Sequence, residues 1–190
     1  MTKARTKGQK RRGRKRIENV PREPNGRISR RISETPDKVG LEARMRKFGI
    51  PADKARDQKA GSYIGYLNLL GAKDGLSDAQ YEGAQSYLRL RSAHLRAIGA
   101  PGAIYDGEAL APASDPDAYA KWCQRTEEAY SEVRQAIQQA QNECRQNLWA
   151  ALQYIIIEGR EMPDFIGATR ILCNALARHF GHLGENTKAA

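Results

Sequence analysis

Lysine and arginine side chains near the start of the chain are the residues with the clearest chemical potential. Residues 1–31 contain 13 Lys and Arg against two acids, Glu18 and Glu23, so this segment carries a net charge of +11. Such a run of guanidinium and ammonium groups matches successive phosphates, and its binding to a polyanion releases condensed counterions. We therefore predict that this segment binds nucleic acid, with duplex DNA as the expected ligand and RNA as the alternative. The residues that carry this prediction are Lys3, Arg5, Lys7, Lys10, Arg11, Arg12, Arg14, Lys15, Arg16, Arg27, Arg30 and Arg31.

Side chains capable of catalysis or metal binding are present, but their spacing is unfavourable. Cys173, His179 and His182 lie close in sequence. On a helix, however, Cys173 and His179 point to nearly opposite sides. The chain contains no glycine-rich phosphate loop, zinc-protease helix motif or nucleophile elbow. We therefore predict no catalytic residue, no metal site and no cofactor, and we do not expect an enzyme.

The composition favours helices and excludes several classes of protein. The chain contains 27 Ala and three Val, a ratio typical of closely packed helices and unfavourable for sheets. Its apolar runs are far shorter than the ~20 residues of a membrane span, and no apolar segment follows the basic start as in a secretory signal. The three Cys are widely spaced and odd in number, which favours a reducing compartment. We predict an all-α helical bundle without membrane association.

The charge and turn pattern divides the chain into five parts. Residues 1–35 form a basic arm, which is too polar and too strongly charged to bury a core and is expected to be disordered. Residues 36–100 form a small helical module, and the proline-containing stretch 101–117 forms a connector. Residues 118–182 contain a long helix and a terminal helix that build the core or an assembly surface. Residues 183–190 are expected to fray.

Helix boundaries in the small module are marked by capping residues. Apolar residues at helical spacing predict a first helix that ends at Gly49. Two shorter helices are predicted over Ala52–Lys59 and Tyr63–Leu70, the second with Ser62 as its N-cap. The sequence Ser77-Asp78-Ala79-Gln80 is a capping box, which predicts that the next helix begins there.

The two short helices and the turn between them have two interpretations. Ala60-Gly61-Ser62 has the length and chemistry of the turn in a helix-turn-helix, whose second helix enters the major groove of DNA. In that interpretation Lys54, Arg56 and Lys59 face the DNA backbone, and Tyr63 reaches the bases. The alternative is a plain helical hairpin within a bundle, because the second helix contains no basic residue.

The longest periodic stretch in the chain follows residues 101–117. Small and apolar residues recur every 3.6 positions from Tyr119 to Ile155, which is the period of a straight α-helix. A helix of ~40 residues would span ~60 Å, more than a domain of this size covers. We expect either a break near Gln138–Asn142 or burial of part of the stripe against another subunit in a homo-oligomer. The residues assigned to that assembly surface are Trp122, Tyr130, Val133, Ile137 and Trp149.

Taken in chain order, the basic arm, small helical module, long helix and terminal helix resemble the small terminase subunits of tailed bacteriophages. The comparison rests on Gly49–Gly71 as a DNA-binding module and Ala118–Ile157 as an assembly helix. The stretch Gly61–Glu82 and the ending Leu176–Gly181 also look like uncharacterised proteins of phages that infect alphaproteobacteria. The resemblance covers residues 40–181 and implies a DNA-recognition subunit of viral genome packaging, located in the cytoplasm of the bacterial host. It also implies a ring of subunits that engages a large, ATP-hydrolysing terminase subunit.

Two other functions fit the same features. The first is a virion structural protein, associated with the capsid or portal, whose basic arm contacts the genome or a neighbouring subunit. The second is a transcriptional or nucleoid-type regulator that binds DNA without a packaging partner. The cationic arm is unusually large for a small terminase, which makes the arm and the helical module competing candidates for the main DNA-binding element.

Overall fold

Helices dominate the part of the chain that the structure shows. The computed structural model describes residues 18, 20, 22–29, 36–100 and 115–183. The chain divides into two compact units, residues 1–43 and 44–190. Within the described residues the only β-structure is a single bridge between Arg22 and Ile28, so the all-α prediction is confirmed. No helix in these ranges combines the length and the apolar character needed to cross a membrane.

The first unit contains a tight turn at residues 22–29. Asn25 Oδ1 accepts a hydrogen bond from the Arg27 amide at 2.9 Å, and Gly26 adopts a φ of 80°. The Arg22 guanidinium donates to the Gly26 carbonyl at 2.8 Å and closes the loop. Asparagine and glycine form this turn because they supply the local hydrogen bond and the positive φ that it needs.

Two helices follow along the chain, the first of which contains the boundary between the two units. Helix α1, Pro36–Phe48, ends as predicted at Gly49, whose φ is 63°. Helix α2, Ala52–Ala55, is shorter than the helix predicted here. The reason is Asp57, whose side chain caps a separate 3₁₀ turn, Gln58–Gly61. Local capping by an aspartate therefore divides a stretch that periodicity alone joins into one helix.

Helix α3, Tyr63–Leu70, has the predicted bounds. Ser62 caps it by accepting a hydrogen bond from the Gly65 amide at 3.1 Å. Gly65 also allows α3 to approach the preceding turn, because a Cβ at this position would overlap the Lys59 carbonyl. The cap thus determines where α3 begins, and the glycine determines how closely it packs.

Helix α4, Asp78–Ala97, begins at the predicted capping box. Ser77 Oγ accepts from the Gln80 amide at 3.3 Å, and Gln80 Oε1 accepts from the Ser77 amide at 2.8 Å. Gln80 Nε2 also donates to Asn174 Oδ1 at 2.9 Å. One capping residue therefore both starts α4 and links it to the last helix of the chain.

The long predicted helix is broken, but slightly beyond the predicted position at Gln138–Asn142. Helix α5, Pro116–Glu143, ends before residues 144–147. Helix α6, Leu148–Ala151, follows the break and continues into a π-helical stretch, Leu152–Ile157. The break allows the apolar stripe to be buried within one chain, so the length of the stripe does not by itself require another subunit.

A single glutamine bridges the break. Gln141 Oε1 accepts a hydrogen bond from the Leu148 amide at 2.7 Å. Its Nε2 donates to the Gln146 carbonyl at 2.8 Å. Because a glutamine side chain is both a donor and an acceptor, it satisfies backbone groups that the interrupted helix leaves without helical partners.

The core lies between α4, α5 and the last helix, α7, Ile166–His179. A 3₁₀ turn, Pro163–Phe165, precedes α7. Helices α4 and α7 approach closely at Gly83 of α4, where a Cβ would lie 2.7 Å from the Ala177 amide nitrogen, so the two backbones are in contact. The largest fully buried side chains are Tyr87, Leu67, Leu76, Ile137, Leu148, Ile155, Leu172 and Leu176.

Candidate nucleic-acid interface

The folded part of the chain has a second concentration of positive charge, separate from the basic arm. Residues 44–71 contain six Lys and Arg and two Asp, a net charge of +4. The other described residues of the second unit, 72–100 and 115–183, contain 11 Lys and Arg against 12 Asp and Glu, a net charge of −1. We call residues 44–71 the cationic segment. A charge sum over residues 32–190 hides it, because acids elsewhere cancel its excess.

Two cations of the cationic segment are held by backbone carbonyls. Arg44 Nη1 donates to the Ala55 carbonyl at 3.3 Å. Lys54 Nζ donates to the Leu69 carbonyl at 3.1 Å. Both carbonyls lie in the last turn of a short helix, where the helix dipole favours a cation. A carbonyl carries no net charge, so both side chains are positioned without being neutralised.

Three further cations of the cationic segment are exposed. The guanidinium groups of Arg46 and Arg56 form no hydrogen bond or ion pair with any residue that the structure describes. Lys47 Nζ lies 3.5 Å from Glu161 Oε1 in an ion pair whose two side chains are about half exposed. An exposed pair of this kind contributes at most about 1 kcal/mol, so a phosphate can replace the carboxylate with little loss of stability. Sequence reasoning missed Arg46 and Lys47, although the charge of residues 44–71 taken alone would have identified them.

Lys59, predicted to face DNA, is instead committed to the fold. Its Nζ donates to Asn68 Oδ1 at 2.8 Å and to Asp78 Oδ1 at 3.2 Å, and it lies 4.9 Å from the centre of the Tyr81 ring. Hydrogen bonds from Asn68 and then from Lys59 lower the pKa of the Asp78 carboxyl. The positive charge of Lys59 is therefore matched within the protein, which leaves little of it for a phosphate.

Helix α3 is packed as a core helix and not as a DNA-recognition helix. Tyr63 is only 4% exposed, and burial followed by the nearby Glu161 carboxylate raises the pKa of its hydroxyl. Asn68 is buried as well, with its Nδ2 donating to the Leu76 carbonyl at 3.3 Å. A recognition helix must present its polar face to the groove. The assignment of Tyr63 to base contacts is therefore wrong, and the helical hairpin describes α2 and α3 better.

Most of the predicted arm residues lie outside the described residues. They are Lys3, Arg5, Lys7, Lys10, Arg11, Arg12, Arg14, Lys15, Arg16, Arg30 and Arg31. Arg27 is described and is exposed at the end of the turn in the first unit. Of the cations predicted in the small module, Lys54 and Arg56 are exposed members of the cationic segment.

The residues assigned to an assembly surface have two different environments. Val133 and Ile137 are fully buried in the core of their own chain, so they cannot form a contact with another subunit. Trp122, Tyr130 and Trp149 are half-buried. The Tyr130 ring stacks on His94 with centroids 4.1 Å apart, and Trp149 Nε1 donates to Gln138 Oε1 at 3.1 Å. The Arg134 guanidinium also lies 5.4 Å from the centre of the Trp149 ring.

The described residues contain no cluster suited to a metal ion. No three His, Cys, Asp or Glu side chains in the described ranges are close enough together to hold one. Burial raises the pKa of the Cys173 thiol to about 12, so this thiol stays protonated at neutral pH. The cations on the short helices, in contrast, are placed where they can bind anions.

Comparisons with known proteins leave the family of this chain undefined. No protein-family model matches it, and neither a curated protein nor a solved structure matches it. The case for a function therefore depends on the charges, contacts and burial of the residues described above.

Proposed function

We propose that this protein binds nucleic acid without catalysing a reaction, and that duplex DNA is its ligand. The observation that carries the proposal is the net charge of +4 on the cationic segment. Arg46, Lys47, Lys54 and Arg56 are all exposed there. Of these four, Lys47 alone is paired with a carboxylate among the described residues, and that pair is itself exposed. The negative charges of successive phosphates would balance the positive charges of these side chains.

The cationic segment and the basic arm have different parts in this proposal. The arm supplies up to 13 cations for phosphate contacts that are independent of base sequence. The cationic segment supplies fewer contacts, but Arg44 and Lys54 are held at fixed positions by carbonyls of neighbouring helices. Contacts at fixed spacing orient a duplex on the protein, whereas the arm mainly raises affinity.

The salt dependence of duplex binding tests the cationic segment. Each phosphate contact adds about 0.9 to the slope of log K against log salt. Replacing two exposed cations, in the variant Arg46→Gln/Arg56→Gln, is therefore expected to lower the slope by about 1.8 and to weaken binding. The matched control is Arg145→Gln/Arg178→Gln, which removes the same charge from exposed positions at the break after α5 and on α7. Equal losses in the two variants would show a general charge effect and would contradict the proposal.

Two further measurements define the ligand and the contribution of the arm. Deletion of residues 2–31 is expected to remove most of the affinity but to leave a slope of about −3 to −4, from the four exposed cations of the cationic segment. A deletion that changes neither the affinity nor the slope would exclude the arm as a DNA-binding element. Competition between duplex DNA and structured RNA at fixed salt decides the ligand, and stronger competition by RNA would contradict the assignment to DNA.

For the biological role, we propose DNA recognition during viral genome packaging in the bacterial host cell. The support is the resemblance to small terminase subunits in the order of arm, helical module, long helix and terminal helix. We expect a gene for a large terminase subunit next to the gene for this protein, and binding between the two purified proteins. DNA binding without such a partner would favour the regulator instead. Stable recovery in purified particles would favour the virion structural protein.

A further inference from the structure

Helices α4 and α7 run in the same direction, and α7 ends first. Gln80, near the start of α4, contacts Asn174 in the middle of α7. Two turns later, Ser86 contacts His182, which already lies beyond the end of α7. Helix α4 continues to Ala97, so its last turns extend past the end of α7.

Helix α5 packs along these last turns of α4 in the opposite direction. Cys123 Sγ lies 3.8 Å from the Ala97 carbonyl oxygen. About two turns further along α5, the Tyr130 ring stacks on His94 of α4. Because α5 begins about two turns before Cys123, its first residues extend beyond the C-terminal end of α4. The two helices thus continue as an antiparallel pair where α7 no longer covers them.

This pair of helix ends, residues 89–98 and 116–132, is called the two-helix extension below. Its α4 part is less buried than the start of that helix. Three of the five residues from 83 to 87 are buried, whereas Arg96 is the one buried residue from 88 to 98. A pair of helices covers only one side of each apolar stripe, and a four-helix bundle covers the rest.

Apolar side chains are exposed at the outer end of the two-helix extension. Ile98 is 57% exposed and Tyr119 is 41% exposed. Trp122 is half-buried, and its ring lies 5.8 Å from that of Tyr119. Tyr119 and Trp122 continue the same α5 stripe that buries Val133 farther along the helix. The stripe therefore extends past the part of the bundle that can cover it.

The two helices of the extension carry charge of opposite sign. Residues 89–98 contain three Arg and no acid. Arg96 is buried, so Arg89 and Arg91 supply the accessible positive charge, and Arg89 also lies 3.9 Å from Glu82 in an exposed ion pair. Residues 116–132 contain four acids and two bases, a net charge of −2. Glu127 and Glu132 form no ion pair with a described residue. A second extension turned by 180° would place the basic helix of each copy against the acidic helix of the other.

We propose that a second copy of this chain packs on the two-helix extension, so that two extensions form an antiparallel four-helix bundle about a two-fold axis. The exposed Ile98 and Tyr119 become its apolar interior, and the opposite charges form its rim. This interface is separate from the cationic segment and does not depend on nucleic-acid binding. It is also isologous and closes at two subunits, so it departs from the ring of subunits that the resemblance to small terminases implies.

Sedimentation equilibrium of the full chain tests the interface. We expect a dimer of the 21.2 kDa chain whose dissociation constant rises by roughly 30-fold or more in the variant Ile98→Glu/Tyr119→Glu. The matched control is Leu70→Glu/Tyr154→Glu, which changes two exposed apolar residues elsewhere and is expected to leave the constant unchanged. Far-UV circular dichroism verifies that both variants are folded.

A charge-reversal pair tests the arrangement independently of apolar packing. In one variant, Arg89→Glu/Arg91→Glu, both helices of the extension become acidic. In the other, Glu127→Lys/Glu132→Lys, both become basic. Each variant alone is expected to be monomeric because its own copies repel each other. Mixed together, the two are expected to form a heterodimer, in which both helix contacts are again attractive.

Three results would overturn the proposal. A wild-type chain that stays monomeric at every concentration excludes the interface. A mass of many subunits excludes the two-fold arrangement. A mixture of folded charge-reversed variants that forms no heterodimer excludes the pairing of α4 with α5 of the other copy. None of these results bears on nucleic-acid binding, which the salt measurements test separately.

Discussion

The cationic segment and the two-helix extension both expose charge, but they distribute it differently. In the cationic segment the net charge is positive, and its side chains contact neutral carbonyls, solvent or, at Lys47 and Lys59, a carboxylate. In the extension the two helices have net charges of opposite sign and lie next to exposed apolar side chains. A surface of one sign suits a ligand of the opposite charge, whereas a surface of two separated signs suits a rotated copy of itself. The two proposed surfaces therefore call for different partners.

The largest expected effect comes from replacing Ile137, which lies in the core and belongs to neither surface. Ile137→Ala removes a fully buried side chain and is expected to lower the free energy of unfolding by about 2–5 kcal/mol in urea denaturation. Native mass and DNA affinity are expected to stay unchanged. A lower native mass with unchanged stability would return Ile137 to the assembly surface and would contradict the core assignment.

Neighbouring cations of the cationic segment allow a sharper test, because one is exposed and the other is committed to the fold. Arg56→Gln is expected to lower the salt slope of DNA binding by about 0.9 and to leave stability unchanged. Lys59→Gln is expected to leave the slope unchanged but to cost about 1 kcal/mol of stability, since Asn68 and Asp78 lose their donor. Filter binding and urea denaturation of both variants measure the two effects. The opposite pattern would place Lys59 in the interface.

The smallest effect concerns the pH dependence of stability through Asp78. Its hydrogen bonds lower the pKa of its carboxyl in the folded state, so its contribution is present above the unfolded pKa and is lost as the pH falls through the folded pKa. Asp78→Asn is therefore expected to be less stable than the wild type at neutral pH, with a difference that shrinks as the pH falls below about 4. Denaturation curves at several pH values measure this difference. A difference that grows with acidity would contradict the assigned direction.

Features that depend on a few adjacent residues could be predicted from the sequence. Ser62 caps α3, and Ser77 with Gln80 starts α4, as their types and spacing predict. A break in the long stripe is one of the two alternatives that its length predicts, because a single helix would be longer than a domain of this size. In each case the deciding hydrogen bonds lie within a few residues of one another, where the folded path of the chain has little influence.

Features that depend on packing could not be predicted in the same way. Periodicity cannot say which face of α3 another helix covers, and the burial of Tyr63 follows from that choice. Lys47 and Glu161 are distant in sequence, so their ion pair is visible only after the chain has folded. The exposure of the apolar stripe at Tyr119 likewise depends on where α7 ends relative to α4.

The glutamine that joins the two halves of the broken helix has a consequence for how the protein responds to its surroundings. Gln141 holds Leu148 and Gln146 through an uncharged amide, which neither titrates at ordinary pH nor is screened by salt. At salt concentrations high enough to weaken ion pairs, these two hydrogen bonds are expected to persist. The break between α5 and α6 is therefore expected to keep its geometry across the salt range of the DNA-binding measurements.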